Sequence, residues 1–223
     1  MDPGAELKER VLASIRRTPS PVRSHARREA QWVLAATVAV AIALFFAVDG
    51  VQHARGRPAW FVVGAALAWG AVAVLSLSTA WRAGIAPGPG AVTSLATVIV
   101  GAPSVLLVAS LAFAWIDPGL VHVHPERPWL HCFALTIAGA ACPLLGFSRA
   151  RRSSEPTHPI ASGSALGVAS GACAGVMVDL WCPVGAPRHL LLGHVLPMGL
   201  LVLAGAMLGA RVIAMRPPHR LSA

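Results

Sequence analysis

The chain has 223 residues, of which 56% are hydrophobic and only 12% are charged. Because a soluble globular domain carries about 25% charged residues, this composition excludes an ordinary soluble protein and leaves little chain for a soluble domain beside the apolar runs. The net charge of +9 is compatible with nucleic-acid binding, but excess Lys and Arg is also typical of the cytoplasmic loops of membrane proteins. We favour the second interpretation and predict no direct contact with nucleic acid.

The N-terminal segment, residues 1–30, is polar and basic, and residues 5–17 have the pattern of a short amphipathic helix. An isolated helix of about 13 residues is only marginally stable in water, so its apolar stripe must pack against another surface. Three such surfaces remain open: the membrane surface, the cytoplasmic loops of the same protein, or a groove on a partner protein. The stripe consists of Leu7, Val11, Leu12 and Ile15, and Arg16 lies beside it.

Six apolar runs follow, and each is close to the roughly 20 residues that a membrane-spanning helix needs. The breaks between them contain Pro, Gly or Asp, which is typical of loops. The sequence therefore predicts an all-α, polytopic membrane protein with a bundle of about six transmembrane helices in residues 31–215 and a tail in residues 216–223. The predicted spans are residues 31–48, 59–80, 91–116, 128–147, 159–181 and 189–215.

The distribution of Lys and Arg predicts the orientation of this bundle. Fourteen of these residues fall on the side of the N-terminus and four on the other side. Because positive residues accumulate on the cytoplasmic side, both termini are predicted to be cytoplasmic, in a bacterial inner membrane with lipid around the bundle. The polar stretch before the first run is too long and too Arg-rich for a leader, so we expect an anchor rather than a signal peptide.

Small residues recur at four-residue spacing in the last two predicted spans. This spacing places them on one face of a helix, where the lack of a side chain lets another helix approach closely. We therefore predict tight helix packing along these faces, with a substrate path as the less favoured interpretation. The residues are Gly163, Gly167, Gly171 and Gly175 in the fifth span and Gly205 and Gly209 in the sixth.

Cysteines and histidines are prominent in a chain with so few polar residues. Cys142 and Cys173 fall toward the middle of spans and are interpreted as small hydrophobic residues. Cys132 and Cys182 fall at the outer ends of the fourth and fifth spans, where the predicted topology exposes them to the oxidising periplasm. Histidines predicted on the same side are His122, His124, His131, His189 and His194. These five histidines, together with Cys132 and Cys182, are candidate metal ligands.

Four interpretations of this outer constellation remain open. Cys132 and Cys182 could form a structural disulfide, or a redox switch that uses the thiol–disulfide pair. They could also bind a metal or metalloid together with imidazoles, since thiolates favour zinc, copper(I) or cadmium-like ions. The fourth interpretation is solvated interfacial histidines beside two unrelated cysteines. The spacing of these residues along the chain is by itself only a weak indication of a metal site, because neither C-x-x-C nor H-x₃-H is present.

The chain lacks the motifs of the common catalytic sites. It contains no P-loop, no G-x-S-x-G, no H-E-x-x-H and no pair of carboxylates within a span. We therefore predict neither an enzyme nor a cofactor. A transporter is also disfavoured, though less strongly than an enzyme, because transporters normally carry ionisable groups within the membrane. A sensing or tethering protein fits the sequence better.

The sequence resembles the NrsF-like membrane anti-sigma factors, a family of six-helix proteins. The resemblance lies in Pro19-Ser20-Pro21-Val22-Arg23 before the first span, the run from Gly167 to Gly175 that leads to Leu180-Trp181-Cys182-Pro183, the stretch Gly205-Ala206-Met207-Leu208-Gly209, and Cys132. The overall plan is also similar to that of the light-response anti-sigma factor CarR.

The resemblance implies a membrane-bound anti-sigma factor that holds an extracytoplasmic-function (ECF) sigma factor at the inner membrane and releases it on a stress signal. By the same resemblance, Cys132 and Cys182 would be the sensing thiols. The N-terminal residues would contact the sigma factor: Leu7, Val11, Leu12, Ile15 and Arg16. The alternative is a small multi-pass transporter or channel that uses the outer His/Cys cluster as an entry site for a metal ion.

Overall fold

The computed structural model describes residues 9, 13, 21–47, 59–82, 93, 96–101, 104, 108, 111–112, 115, 129–151, 158–182 and 186–213. Within these residues the secondary structure is helical and contains no strand, which confirms the predicted all-α class. The α-helices are α1 (Pro21–Ala47), α2 (Ala59–Arg82), α3 (Trp129–Arg151), α4 (Pro159–Trp181), α5 (Pro187–Leu190) and α6 (Leu196–Leu208). Three π-helical turns are Thr97–Gly101, Leu191–Val195 and Gly209–Ile213.

The last elements join without a break into one long helix. Helix α5, the π-turn Leu191–Val195, α6 and the π-turn Gly209–Ile213 together cover Pro187–Ile213, which we call the C-terminal rod. Its start lies close to the predicted start of the sixth span at residue 189. Its described end, Ile213, lies two residues before the predicted end at residue 215.

Four helices in the described part of the chain are long and apolar enough to cross a membrane. Helix α3, for example, has 23 residues and is therefore about 34 Å long, against about 30 Å for the hydrocarbon core of a bilayer. The third predicted span lies largely outside the described residues, so the number of six spans stays a prediction. The four helices are Val63–Trp81, Trp129–Arg151, Pro159–Trp181 and Pro187–Ile213.

Helix α1 begins ten residues before the predicted first span. Pro21 occupies its first position, where the missing N–H and the fixed φ of proline are favourable. The last ten residues of the N-terminal segment therefore continue directly into the first apolar run. The predicted helix of residues 5–17 lies outside the described residues except for Glu9 and Ala13, which are helical and exposed.

Helix α4 occupies the centre of the bundle and packs against α1, α2, α3 and the C-terminal rod. Of its apolar stretch 83% is buried, against 17% for α2. The sequence explains this difference, because α4 consists mainly of Gly, Ala and Ser, which let neighbouring helices approach on every side. Large apolar side chains face outward instead, such as Leu67 on α2 and Leu203 on α6. Small residues inside and large apolar residues outside are the arrangement expected in lipid.

The glycines of α4 mark where the backbones meet. A Cβ atom on Gly163 would collide with the carbonyl oxygen of Gly205 and would lie 2.7 Å from the Cα of Gly209. A Cβ on Gly205 would collide in turn with the carbonyl oxygen of Gly163. Gly167 meets the carbonyl of Leu201 in the same way. The α4 and rod backbones are therefore in direct contact along this face, which leaves no room for a side chain.

Nearer the other end of α4, the same glycine face meets side chains. A Cβ on Gly171 would collide with the sulfur of Met198, and one on Gly175 would lie 2.8 Å from the ring of Trp69 on α2. The spacing of four residues thus places one stripe of α4 against two different neighbours.

We predict that Gly167→Ala destabilises the protein and that Gly199→Ala, on α6, does not. The added methyl at Gly167 meets backbone, which cannot move away cheaply, so we expect a loss of about 1–3 kcal/mol. At Gly199 a Cβ atom would meet no described atom within 4 Å other than its chain neighbours and its own helix backbone, so alanine there adds only its helix propensity of up to about 1 kcal/mol. Chemical unfolding in detergent micelles measures both. Equal stabilities would contradict the backbone contact.

Candidate metal and thiol centre

Cys132, Cys182, His189 and His194 meet at one end of the bundle, which we call the thiol end. Cys132 lies in the first turn of α3, and Cys182 follows the last residue of α4. Because α3 and α4 are antiparallel neighbours, the start of one meets the end of the other. His189 lies in α5 and His194 in the π-turn Leu191–Val195. The exposed fractions of these residues are 1%, 3%, 6% and 8% in the order named.

The four side chains form one compact group. The Sγ atoms of Cys132 and Cys182 are 3.4 Å apart, with the Cys132 thiol donating. The Nε2 atom of His189 lies 3.2 Å from the sulfur of Cys182 and 3.3 Å from that of Cys132. With a ring nitrogen of His194, all four potential ligand atoms lie within 4.8 Å of one another.

The π-turn Leu191–Val195 brings the second histidine to this group. Residues five positions apart on an α-helix project about 140° apart, because each residue adds about 100°. In a π-turn the hydrogen bond from residue i to i+5 widens the turn, which returns the fifth residue toward the same face. The ring centroids of His189 and His194 accordingly lie 5.7 Å apart. Both histidines are candidate ligands from the sequence, which did not single out this pair, although their H-x₄-H spacing lies within the range found at zinc sites.

His194 has an unused ring nitrogen. Its Nε2 atom is buried and makes no hydrogen bond to any part of the chain that the structure describes. A buried polar atom without a partner is costly, so such atoms are rare and call for an explanation. This imidazole nitrogen can therefore accept a ligand without breaking an existing hydrogen bond.

The cluster favours the ionised form of Cys182, which lies one residue beyond the end of α4. The hydrogen bond from the Cys132 thiol is the largest cause that lowers the pKa of the Cys182 thiol, and the nearby imidazoles of His189 and His194 lower it further. Burial opposes these effects, because it disfavours a charge, but the hydrogen bonds outweigh it. A thiolate is the form that binds metals and reacts as a nucleophile.

Apolar residues and one glycine surround the centre. Val178, Leu135 and Met177 pack against the two cysteines. Gly193, in the π-turn, faces α3, since a Cβ atom there would lie 3.1 Å from the Trp129 carbonyl oxygen and 3.2 Å from the Cβ of Cys132. The absence of a side chain at Gly193 thus lets the rod approach α3 closely enough for its histidines to reach the sulfurs. Sequence reasoning missed Gly193.

The structure separates the predicted candidates into three groups. It brings together Cys132, Cys182, His189 and His194. His131 stays out of the group: it is exposed on α3, and its ring lies 5.1 Å from that of Trp181. The other candidates lie outside the described residues: His122, His124, Leu7, Val11, Leu12, Ile15 and Arg16.

Cys142 and Cys173 lie away from the centre. Both line an apolar cavity of about 190 Å³ between α1, α3 and α4, together with residues such as Val33 and Met177. These surroundings agree with the interpretation of the two cysteines as small hydrophobic residues.

The opposite end of the bundle, which we call the basic end, joins α3 to α1. Arg149 on α3 forms an ion pair of 3.4 Å with Glu29 on α1. One turn earlier, a Cβ on Gly146 would lie 2.7 Å from Val33 of α1. Arg151 is only 3% exposed, and its guanidinium lies 5.6 Å from the centre of the Trp81 ring. Helix α3 thus connects the thiol end to the helix that continues the N-terminal segment.

The chain matches the model of a known protein family over most of its length. The family model NrsF, described as negative regulator of sigma F, matches residues 14–214. No curated protein and no solved structure matches the chain.

We predict that removing the Cys132 thiol raises the pH at which Cys182 ionises. In metal-depleted Cys132→Ala protein, the largest cause of the lowered pKa is absent, so the thiolate of Cys182 forms closer to the ordinary thiol pKa of about 8.5. The ultraviolet absorbance of the thiolate, followed during a pH titration in detergent, measures this shift. Cys142→Ala is the matched control and should leave the pH at which Cys182 ionises unchanged. An identical titration of wild type and Cys132→Ala would contradict the assignment.

Proposed function

We propose, because the chain belongs to the NrsF family of negative regulators of sigma F, that it is a membrane-bound anti-sigma factor. It holds an ECF-type sigma factor at the bacterial inner membrane and releases it on a stress signal. The family match along nearly the whole chain carries this proposal. The four long apolar helices support the membrane location.

The N-terminal segment is the part that binds the sigma factor in this proposal. Its predicted stripe of Leu7, Val11, Leu12 and Ile15 would cover an apolar groove on the partner, as amphipathic helices commonly do. Arg16 and the neighbouring basic residues would steer an acidic partner toward it. The predicted cytoplasmic position of the N-terminus allows this contact, and a sigma factor held there is kept from core RNA polymerase.

The thiol end receives the signal in this proposal and, by the predicted topology, faces the periplasm. A chemical change at Cys132 and Cys182 alters the contact between the start of α3 and the end of α4. Arg149 lies 17 positions after Cys132 on α3, about 26 Å along the axis. A displacement of α3 therefore acts on the Glu29–Arg149 and Val33–Gly146 contacts, and so on α1, which leads into the N-terminal segment.

Thermodynamic linkage sets the coupling free energy that is needed between the thiol end and the sigma-binding segment. A change at the thiol end affects sigma binding only if the two states of the bundle bind the sigma factor with different affinities. A hundredfold weaker binding corresponds to about 2.7 kcal/mol. This is within the usual range of allosteric coupling and needs only a few altered contacts in α1 and α3.

We predict that deletion of residues 2–20 abolishes sigma binding, because it removes the whole apolar stripe. The measurement is co-purification from detergent-solubilised membranes with full-length protein as bait and mass spectrometry as readout. A Leu7→Glu, Val11→Glu, Ile15→Glu variant should give the same loss in a chain of full length. Glu9→Ala, on the polar face of the predicted helix, is the control and should retain the sigma factor.

Stoichiometric co-purification of the sigma factor with the variant that lacks residues 2–20 would contradict the assignment of sigma binding to the N-terminal segment. Absence of any sigma factor with folded wild-type protein would sink the anti-sigma function as a whole. Helical content and detergent-resistant stability of each variant show whether a loss reflects binding or unfolding.

We further predict that the Glu29–Arg149 pair contributes to coupling and that its contribution is small. The Arg149 side chain is 82% exposed and that of Glu29 34% exposed, and an exposed ion pair contributes about 0.2–1 kcal/mol. Arg149→Glu should therefore change the sigma affinity of the bundle by at most about fivefold. The exchange Glu29→Arg with Arg149→Glu should restore it. If the double variant is as impaired as the sum of both single variants, the pair does not couple α3 to α1.

A further inference from the structure

We propose that Cys132, Cys182, His189 and His194 form a closed Cys₂His₂ site that holds one zinc(II)-class ion in the resting protein. The ion ties the start of α3, the end of α4 and the C-terminal rod to one centre. Only its role in signalling rests on the proposed function, since the binding site itself stands on the four side chains.

The distances among Cys132, Cys182 and His189 are close to those that a tetrahedral ion requires. With Zn–S bonds of about 2.3 Å and Zn–N bonds of about 2.0–2.1 Å, two sulfurs lie about 3.8 Å apart and a sulfur and a nitrogen about 3.6 Å apart. The sulfurs here are 3.4 Å apart, and His189 Nε2 lies 3.2 and 3.3 Å from them. These three atoms therefore need outward shifts of only a few tenths of an ångström to admit the ion. The His194 ring nitrogen, whose separations within the group extend up to 4.8 Å, must move inward to bind it.

The hydrogen-bonding pattern also points to a common ligand. Nε2 of His189 lies at nearly equal distance from both sulfurs, although one ring nitrogen carries at most one proton for the two. Nε2 of His194 is buried and has no hydrogen-bond partner among the described residues. An ion at the centre of the group satisfies all four donor atoms at once.

The charge and the burial of the four side chains favour a bound divalent ion over a group of thiols without one. Two thiolates and two neutral imidazoles around a divalent cation carry no net charge, so the centre can lie among Val178, Leu135 and Met177 without an uncompensated buried charge. Four protein ligands with exposed fractions of 8% or less also leave no open coordination position, which is typical of structural rather than catalytic zinc.

A disulfide between Cys132 and Cys182 explains fewer of these observations. It requires the sulfurs to approach to about 2.05 Å, and it gives no role to either histidine. It also leaves Nε2 of His194 buried without a partner. The metal site accounts for the thiols, the histidines and the π-turn that delivers His194.

The test is metal analysis of the full-length protein, purified in detergent from cells grown with zinc. We expect about one zinc ion per chain and, after exchange with cobalt(II), the absorption bands of a tetrahedral site with thiolate ligands. His194→Ala and Cys182→Ser should lower the occupancy at a limiting zinc concentration by about tenfold or more, since even the loss of groups that only orient metal ligands costs about 10–100-fold.

Two matched controls and one replacement keep the test independent of folding. His131→Ala, next to Cys132 but outside the group, and Cys142→Ser should both retain the ion. His194→Cys should also retain it, with stronger thiolate-to-cobalt absorption because a third sulfur joins the site. Equal occupancy in His194→Ala and wild type would remove His194 from the site.

Wild-type protein without bound metal, or with the mass loss of two hydrogens that marks a disulfide, would overturn the proposal. Co-purification of the sigma factor, measured in the same preparation, separates the two hypotheses. Sigma factor without zinc would sink the metal site alone. Zinc without sigma factor would sink the proposed anti-sigma function and leave the metal site standing.

Discussion

The direct contact between the backbones of α4 and the C-terminal rod is the constraint on which the remaining structure depends. Gly163, Gly205 and Gly167 permit it, because any side chain at these positions would meet a backbone atom. In lipid, helices gain little from burying apolar surface against one another, so close packing of small residues is the main source of association. A rod held at this distance has a fixed rotation about its own axis, which decides where its histidines point.

The thiol end follows from that fixed rotation. Once the rod lies against α4, Gly193 lets its first turns approach α3, and the π-turn Leu191–Val195 returns His194 to the face that already carries His189. The two cysteines come from other elements than the histidines: one lies at the start of α3 and one just after α4. A group formed by three separate helical elements is sensitive to their relative positions, which suits a proposed sensor better than a site within one loop.

The two ends of the bundle have opposite chemical character, and α3 joins them. The thiol end is buried and its contacts are short, whereas the basic end is joined to α1 by an exposed ion pair and by the packing of Val33 on Gly146. Exposed ion pairs are weak, so the packing contact is the stronger link between α3 and α1. In the proposed mechanism, sigma binding therefore responds to shifts of α3 along or about its axis.

The sequence by itself determined the all-α class, the positions of four spans, the glycine-lined faces and the family resemblance. These depend on local properties: the length of an apolar run, the four-residue spacing on a helix, and the identity of residues near Cys132 and Cys182. Only the tertiary structure decided which histidines join the cysteines. His131 is adjacent to Cys132 in sequence yet lies on the outer face beside Trp181, while His194 is 62 positions away and reaches the group. The reason is that a π-turn and the rotation of a packed helix depend on contacts between distant segments, which spacing along the chain does not record.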